Sequence, residues 1–117
     1  MNIEFTTFRI LMGKEERAKK WMQTLTQRRE ECIETLAREK MGLESIFMYE
    51  KDQRLFLSWY SIQGDNPADL ASSEHEIDKL HSQFWDECIE TSYQPDDHTH
   101  IVSFYTPAMA RLLEANK

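Results

Sequence analysis

The chain has 117 residues, enough for one hydrophobic core and too few for two, so residues 1–117 are read as a single domain. Its 40% hydrophobic and 11% aromatic content lets burial offset chain entropy, which excludes a disordered polymer. A formal net charge of −7, with no basic cluster free of neighbouring glutamate, repels phosphate and excludes nucleic acid and anionic membrane as expected partners.

The opening MNIEFTTFRI has no basic stretch followed by an apolar run, and no stretch of about 18 apolar residues occurs, so a cytoplasmic location is expected. Residues 3–11, IEFTTFRIL, are β-branched and aromatic and predict strand one. Its apolar phase shifts between Phe5 and Phe8, which predicts a bulge near Thr6 and Thr7. Gly13 breaks the pattern. From Lys14, apolar residues recur at Ala18, Trp21, Met22, Leu25, Cys32, Ile33 and Leu36, the spacing of one helical face, and predict a single helix to about Met41, closed by Gly42.

LESIFMYE and RLFLSWYSI, separated by Lys51, Asp52 and Gln53, predict an antiparallel hairpin. Gly64, Asp65, Asn66 and Pro67 mark a loop, with a short helical turn possible after it. Ser73 and Glu76 have capping-box spacing ahead of Ile77, Leu80, Phe84, Trp85 and Cys88, which predicts a second helix ending near Thr91. Gln94 to Asp97 read as a turn and HTHIVSFYT as a last strand. Thr106 and Pro107 then open a short amphipathic helix with Met109, Leu112 and Leu113. Cys32 and Cys88 fall on apolar helical stripes and are read as reduced core thiols, with no zinc spacing.

The order strand, helix, strand, strand, helix, strand is that of an α+β, ferredoxin-like βαββαβ sandwich with an antiparallel sheet, plus a short C-terminal helix. Pairing the hairpin about Asp52 and Gln53 puts Leu43, Phe47, Tyr49, Phe56, Tyr60 and Ile62 on one side. Ile46, Met48, Leu55, Leu57 and Trp59 fall on the other. Both sides are apolar, yet two helices cover only one, so a homodimer through the second sheet face is expected. The competing possibility is that the C-terminal tail hides that face within one chain.

In this layout the chain resembles the dimeric α/β-barrel superfamily, whose members include antibiotic-biosynthesis monooxygenases, haem enzymes and sugar mutarotases. IFMYEKDQRLFLSWYSI and HSQFWDECI are similar to the hairpin and second helix of the L-rhamnose mutarotase type. That type uses a histidine on its first helix, and the stretch from Lys14 to Met41 contains none. The resemblance implies a barrel of two joined sheets and does not choose an activity.

A small organic ligand is expected between helices and sheet. His81, in phase with Ile77, Phe84, Trp85 and Cys88, is the candidate catalytic residue: an imidazole titrating near neutrality suits mutarotation or isomerisation without a cofactor. Arg29, in phase with Met22, Leu25 and Cys32, is the candidate grip on an oxyanion, and Trp85, Tyr60, Tyr49 and Trp59 are candidate stacking partners. The plainer reading makes all of these core or boundary residues. Glu74, Asp78 and His81 share one side of the second helix, and His98 and His100 point the same way on a strand, so a metal site joining His98, His100 and Asp78 is a further alternative. No glycine-rich phosphate loop, nucleophile elbow, haem or dinucleotide signature is present, so no cofactor is expected. A non-catalytic interaction module is the remaining alternative.

Overall fold

A computed structural model describes residues 2–38, 41–63 and 75–114. The elements run β1 (Asn2–Arg9), α1 (Glu15–Gln27), α2 (Arg29–Arg38), β2 (Met41–Lys51), β3 (Arg54–Gln63), α3 (Glu76–Cys88) and α4 (Pro107–Glu114). The protein is α+β, with a three-stranded antiparallel sheet in the order β1-β3-β2. The loop at 64–67, the capping residue Ser73 and the carboxylate of Glu74 lie outside the described residues.

The hairpin forms about Asp52 and Gln53, whose φ angles of 52° and 65° are the left-handed pair required by a turn that matches strand twist. Its register places Ile46 opposite Trp59 and Tyr49 opposite Phe56, so the two apolar sides fall as the alternation demands. β1 pairs without interruption from Asn2 opposite Gln63 to Arg9 opposite Phe56, and the bulge expected at Thr6 and Thr7 is absent. Phe5 and Phe8 simply lie on opposite faces. The irregularity sits instead between Met41 and Leu43, because Gly42 belongs to β2 and does not close a helix.

The long first helix is two. Thr24 and Thr26 turn their hydroxyls back onto the carbonyls of Lys20 and Met22, both at 2.8 Å, a bonding pattern that bends helices. The ladder breaks at Arg28, with φ −104° and ψ 35°. At α3 the cap is His75, whose Nδ1 accepts from the Ile77 N–H at 3.3 Å. α4 is capped as expected, by Thr106 Oγ1 accepting from the Met109 N–H at 3.3 Å.

The core lies between the helices and the face of the sheet that carries Phe8, Ile46, Leu57 and Trp59. Trp21, Ala18, Leu57 and Cys88 are fully buried there, packed against Ile10 and Phe84. Both cysteines are free thiols, Cys88 in the core and Cys32 half-buried.

The last strand does not form a ladder. Ile89 makes one bridge to Ile10, and the chain then leaves β1. The cause is a cluster at that corner: the Glu90 carboxylate accepts from Arg9 and, at 2.8 Å, from Arg54, while the Tyr93 ring sits 4.7 Å from the Arg9 guanidinium and edge-on to Phe56. These contacts draw residues 93–98 over the second sheet face, where His98 meets Phe5 edge-on at 5.3 Å. Residues 98–106 are non-helical and unpaired. The tail therefore covers part of the second face and leaves Phe47 57% exposed.

Two outcomes test this packing. Leu57→Ala should lower unfolding free energy by about 2–5 kcal/mol in urea titration, and a loss well under 1 kcal/mol would contradict a closed core. Glu90 has its pKa held down mainly by its hydrogen bond with Arg9, so its contribution is present above the ordinary carboxylate pKa and is lost as pH falls through the lower folded value. Glu90→Gln should flatten that acid limb of the stability curve; an unchanged limb would remove the cluster from the account.

Candidate functional site

The helices do not press flat on the sheet. A cleft of about 1640 Å³ opens between them, walled by α1, α2 and α3 and floored by all three strands. Strand alternation decides which side chains reach it. Glu44, opposite Ser61, and Ile46, opposite Trp59, face the cleft; Tyr49 and Tyr60 do not.

His81 stands at its inner end. Trp21, fully buried on α1, donates its indole N–H to His81 Nδ1 at 2.9 Å. An indole nitrogen only donates, so Nδ1 is the unprotonated nitrogen and the neutral ring carries its hydrogen on Nε2. The ring is boxed by Trp21 at 5.3 Å, Trp59 at 5.9 Å and Trp85 at 6.4 Å between centroids. Burial in this apolar box lowers the imidazole pKa to about 4, with the charge of Asp78 one turn earlier pulling weakly the other way. His81 is therefore a fixed hydrogen-bond donor at neutral pH, not a group that gains and loses a proton there.

Carboxylates complete the polar lining, Glu4 and Glu44 from the strands and Asp78 and Asp86 from α3. Asp78 is buried on α3 beside His81. Glu44 has its pKa raised by burial and by the Asp78 charge, against a hydrogen bond from Trp59 that lowers it. A carboxyl group moved toward neutrality in a cleft is the kind of group that general acid–base chemistry uses. Glu44 is the residue the sequence reading passed over. The same alternation that placed Ile46 and Met48 toward the helices extends by one step to it, and its charge hid it.

The other expected site residues divide. His81, Trp85 and Trp59 line the cleft together. Tyr60 and Tyr49 lie on the second sheet face, where Tyr49 stacks on Phe56 at 5.0 Å, and so they take no part. Arg29 reaches only the rim: the break at Arg28 turns it outward, 73% exposed and 3.6 Å from Glu30. An exposed pair of this kind contributes little. It is Arg28 that turns inward, bonded to Glu31 and Glu76. Asp78 faces the cleft while His98 and His100 belong to the tail, on Phe5 and Ser103. Among the described residues no group of three or more His, Cys, Asp or Glu side chains could hold a metal ion, so the site imagined from His98, His100 and Asp78 is not assembled. Nor is any helix among them long and apolar enough to cross a membrane.

The architecture is thus that of an α+β domain whose helices roof a cleft with aromatic walls and an acidic floor. Over residues 1–109 the chain matches a family of unknown function, DUF6176, and it belongs to that family. No curated protein matches the chain, and no solved structure does.

The depressed His81 pKa has a sign that can be checked. Between the unfolded value near 6.5 and the folded value of about 4, only the unfolded chain takes up the proton, so stability is complete above about pH 6.5 and declines as pH falls. The decline attributable to His81 should be on the order of 2–3 kcal/mol by pH 4 and should vanish in His81→Gln. Equal pH slopes for the two proteins in denaturant titrations would refute the buried neutral imidazole.

Proposed function

We propose that the protein is a cytoplasmic homodimer of ferredoxin-like subunits that binds an uncharged hydroxy-carbonyl compound, such as an aldose or hydroxyketone, in the cleft and moves a proton on it without a cofactor. The observation that carries this reading is the pairing of a fixed donor, His81 Nε2–H, with the acid–base carboxyl of Glu44 in one aromatic cleft. In such a site the His81 N–H steadies the ligand oxygen on which negative charge develops, while Glu44 takes up or returns the proton; the neutral-imidazole donor is a known electrophilic device. The role of His81 is then polarisation, and the proton relay passes to Glu44.

Charge selects the ligand class. Glu44 and Asp78 repel anions, and the rim cation Arg29 is compensated by Glu30, so a carboxylate or phosphate ligand finds no net positive partner. Trp59 and Trp85 both line the cleft and supply aromatic surface suited to the apolar side of a sugar-like ring or chain. The cleft, at about 1640 Å³, exceeds the roughly 300–1000 Å³ of ordinary small-molecule sites, so a sugar-sized ligand would fill only part of it.

A thermal-shift screen of neutral aldoses and hydroxyketones should yield a ligand that stabilises the wild type by about 2–3 kcal/mol near 100-fold saturation. Glu44→Gln should keep most of that binding and abolish solvent deuterium incorporation into the ligand, whereas Trp59→Ala should lose both. No stabilisation by any neutral compound, or turnover that survives Glu44→Gln, would defeat the reading.

A further inference from the structure

Glu44 does not stand alone on the cleft floor. Antiparallel pairing sets Glu44 opposite Ser61 and Ile46 opposite Trp59, so Glu44 and Trp59 are diagonal neighbours on one face of the sheet, a separation that an aromatic side chain spans. The Trp59 indole bridges it as a hydrogen-bond donor to the Glu44 carboxylate.

Packing fixes the direction of that indole. Its ring is bounded by Trp21 and Trp85, each at 5.6 Å, His81 at 5.9 Å and Phe8 at 6.0 Å between centroids. A ring enclosed by four others is locked in its rotamer, and its N–H is aimed with it. An indole nitrogen donates one hydrogen and accepts none, so on a carboxylate it satisfies one oxygen and favours the ionised form. The same chemistry recurs beside it, where Trp21 donates to His81 Nδ1 at 2.9 Å and protonation of that nitrogen would break the bond. Each indole opposes proton uptake by the group it touches.

The titratable groups that line the cleft with Glu44 are Glu4 of β1, Arg29 and Cys32 of α2, and Asp78, His81 and Asp86 of α3. Burial pushes Glu44 toward the neutral acid, the Trp59 N–H pulls it back, and the Asp78 charge adds to the push. A general base needs that counterweight. Without the donor the carboxyl would rest closer to its protonated form, in which it cannot accept a proton.

We propose that Trp59 is the positioning residue for Glu44: its indole N–H holds one oxygen of the carboxylate and leaves the other to meet the ligand proton. This role rests on the proton transfer proposed above and adds what sets the geometry and working pH range of the base.

Carbon-13 titration of the Glu44 carboxyl tests it without a ligand. Trp59→Phe, which keeps a ring and deletes the donor, should move the Glu44 midpoint upward by about one pH unit, while Trp85→Phe, which deletes a neighbouring cleft indole, should leave it nearly in place. No movement in Trp59→Phe, or equal movement in both variants, would overturn the assignment. In the wild type itself, the Trp59 Nε1–H signal should shift as Glu44 titrates and should stay still over the same pH range in Glu44→Gln. A wild-type signal indifferent to pH would overturn it as well. With a ligand from the thermal-shift screen, the low-pH limb of deuterium exchange should move upward in Trp59→Phe by the same interval. A Glu44 midpoint that shifts as expected, in a protein that exchanges no deuterium into any ligand, would defeat the proton-transfer reading and uphold the Trp59–Glu44 contact.

Discussion

The hydrogen bond from the Trp21 indole to His81 Nδ1 joins the first helix to the third over the middle of the sheet, and much else depends on it. Trp21 is fully buried, so its N–H must find a partner or carry the cost of desolvation, roughly 1–3 kcal/mol for a group of this kind. The imidazole satisfies it and in return gives up one protonation state. A ring that cannot accept a second proton without losing that bond stays neutral, and its remaining N–H is aimed by the same packing that makes the core. Structure and chemistry here are set by one contact.

The sheet divides the remaining residues into two populations. On the helix side, hydrocarbon from Phe8, Leu57 and Trp59 makes the core, and Glu44 lies on the cleft floor with its pKa raised by burial. On the second side the same alternation collects Phe5, Phe47, Tyr49 and Phe56 and excludes acids. A buried Thr7–Ser58 hydroxyl pair at 2.9 Å lies at the centre of that side, the Tyr93 and His98 rings cover part of it, and Phe47 is left to solvent. One face thus carries a partly polar cleft and the other a partly exposed apolar surface.

What the sequence made legible follows from which forces act locally. The hairpin register was readable because Asp52 and Gln53 mark the turn and parity does the rest, and the Thr106–Pro107 helix start was readable because capping is local chemistry. The helix break was not. Apolar spacing from Ala18 to Leu36 is continuous, and only the back-bonding of Thr24 and Thr26 reveals that the phase is lost at Arg28, which sends Arg29 outward and Arg28 inward. The last strand failed for a non-local reason, since its propensity is high but the Arg9, Arg54 and Glu90 cluster diverts the chain after Ile89. Of the site, the inward phase of His81 and the tryptophans was visible, while its partner Trp21 lay 60 positions away and Glu44 was screened by the habit of reading strand faces through their apolar members alone.

The nitrogen-15 shifts of the His81 ring at neutral pH address the central contact directly. A protonated, pyrrole-type Nε2 and an unprotonated, hydrogen-bonded Nδ1 are expected, with no change between pH 7 and pH 5.5. A ring that exchanges between tautomers, or that becomes doubly protonated in that interval, would contradict it.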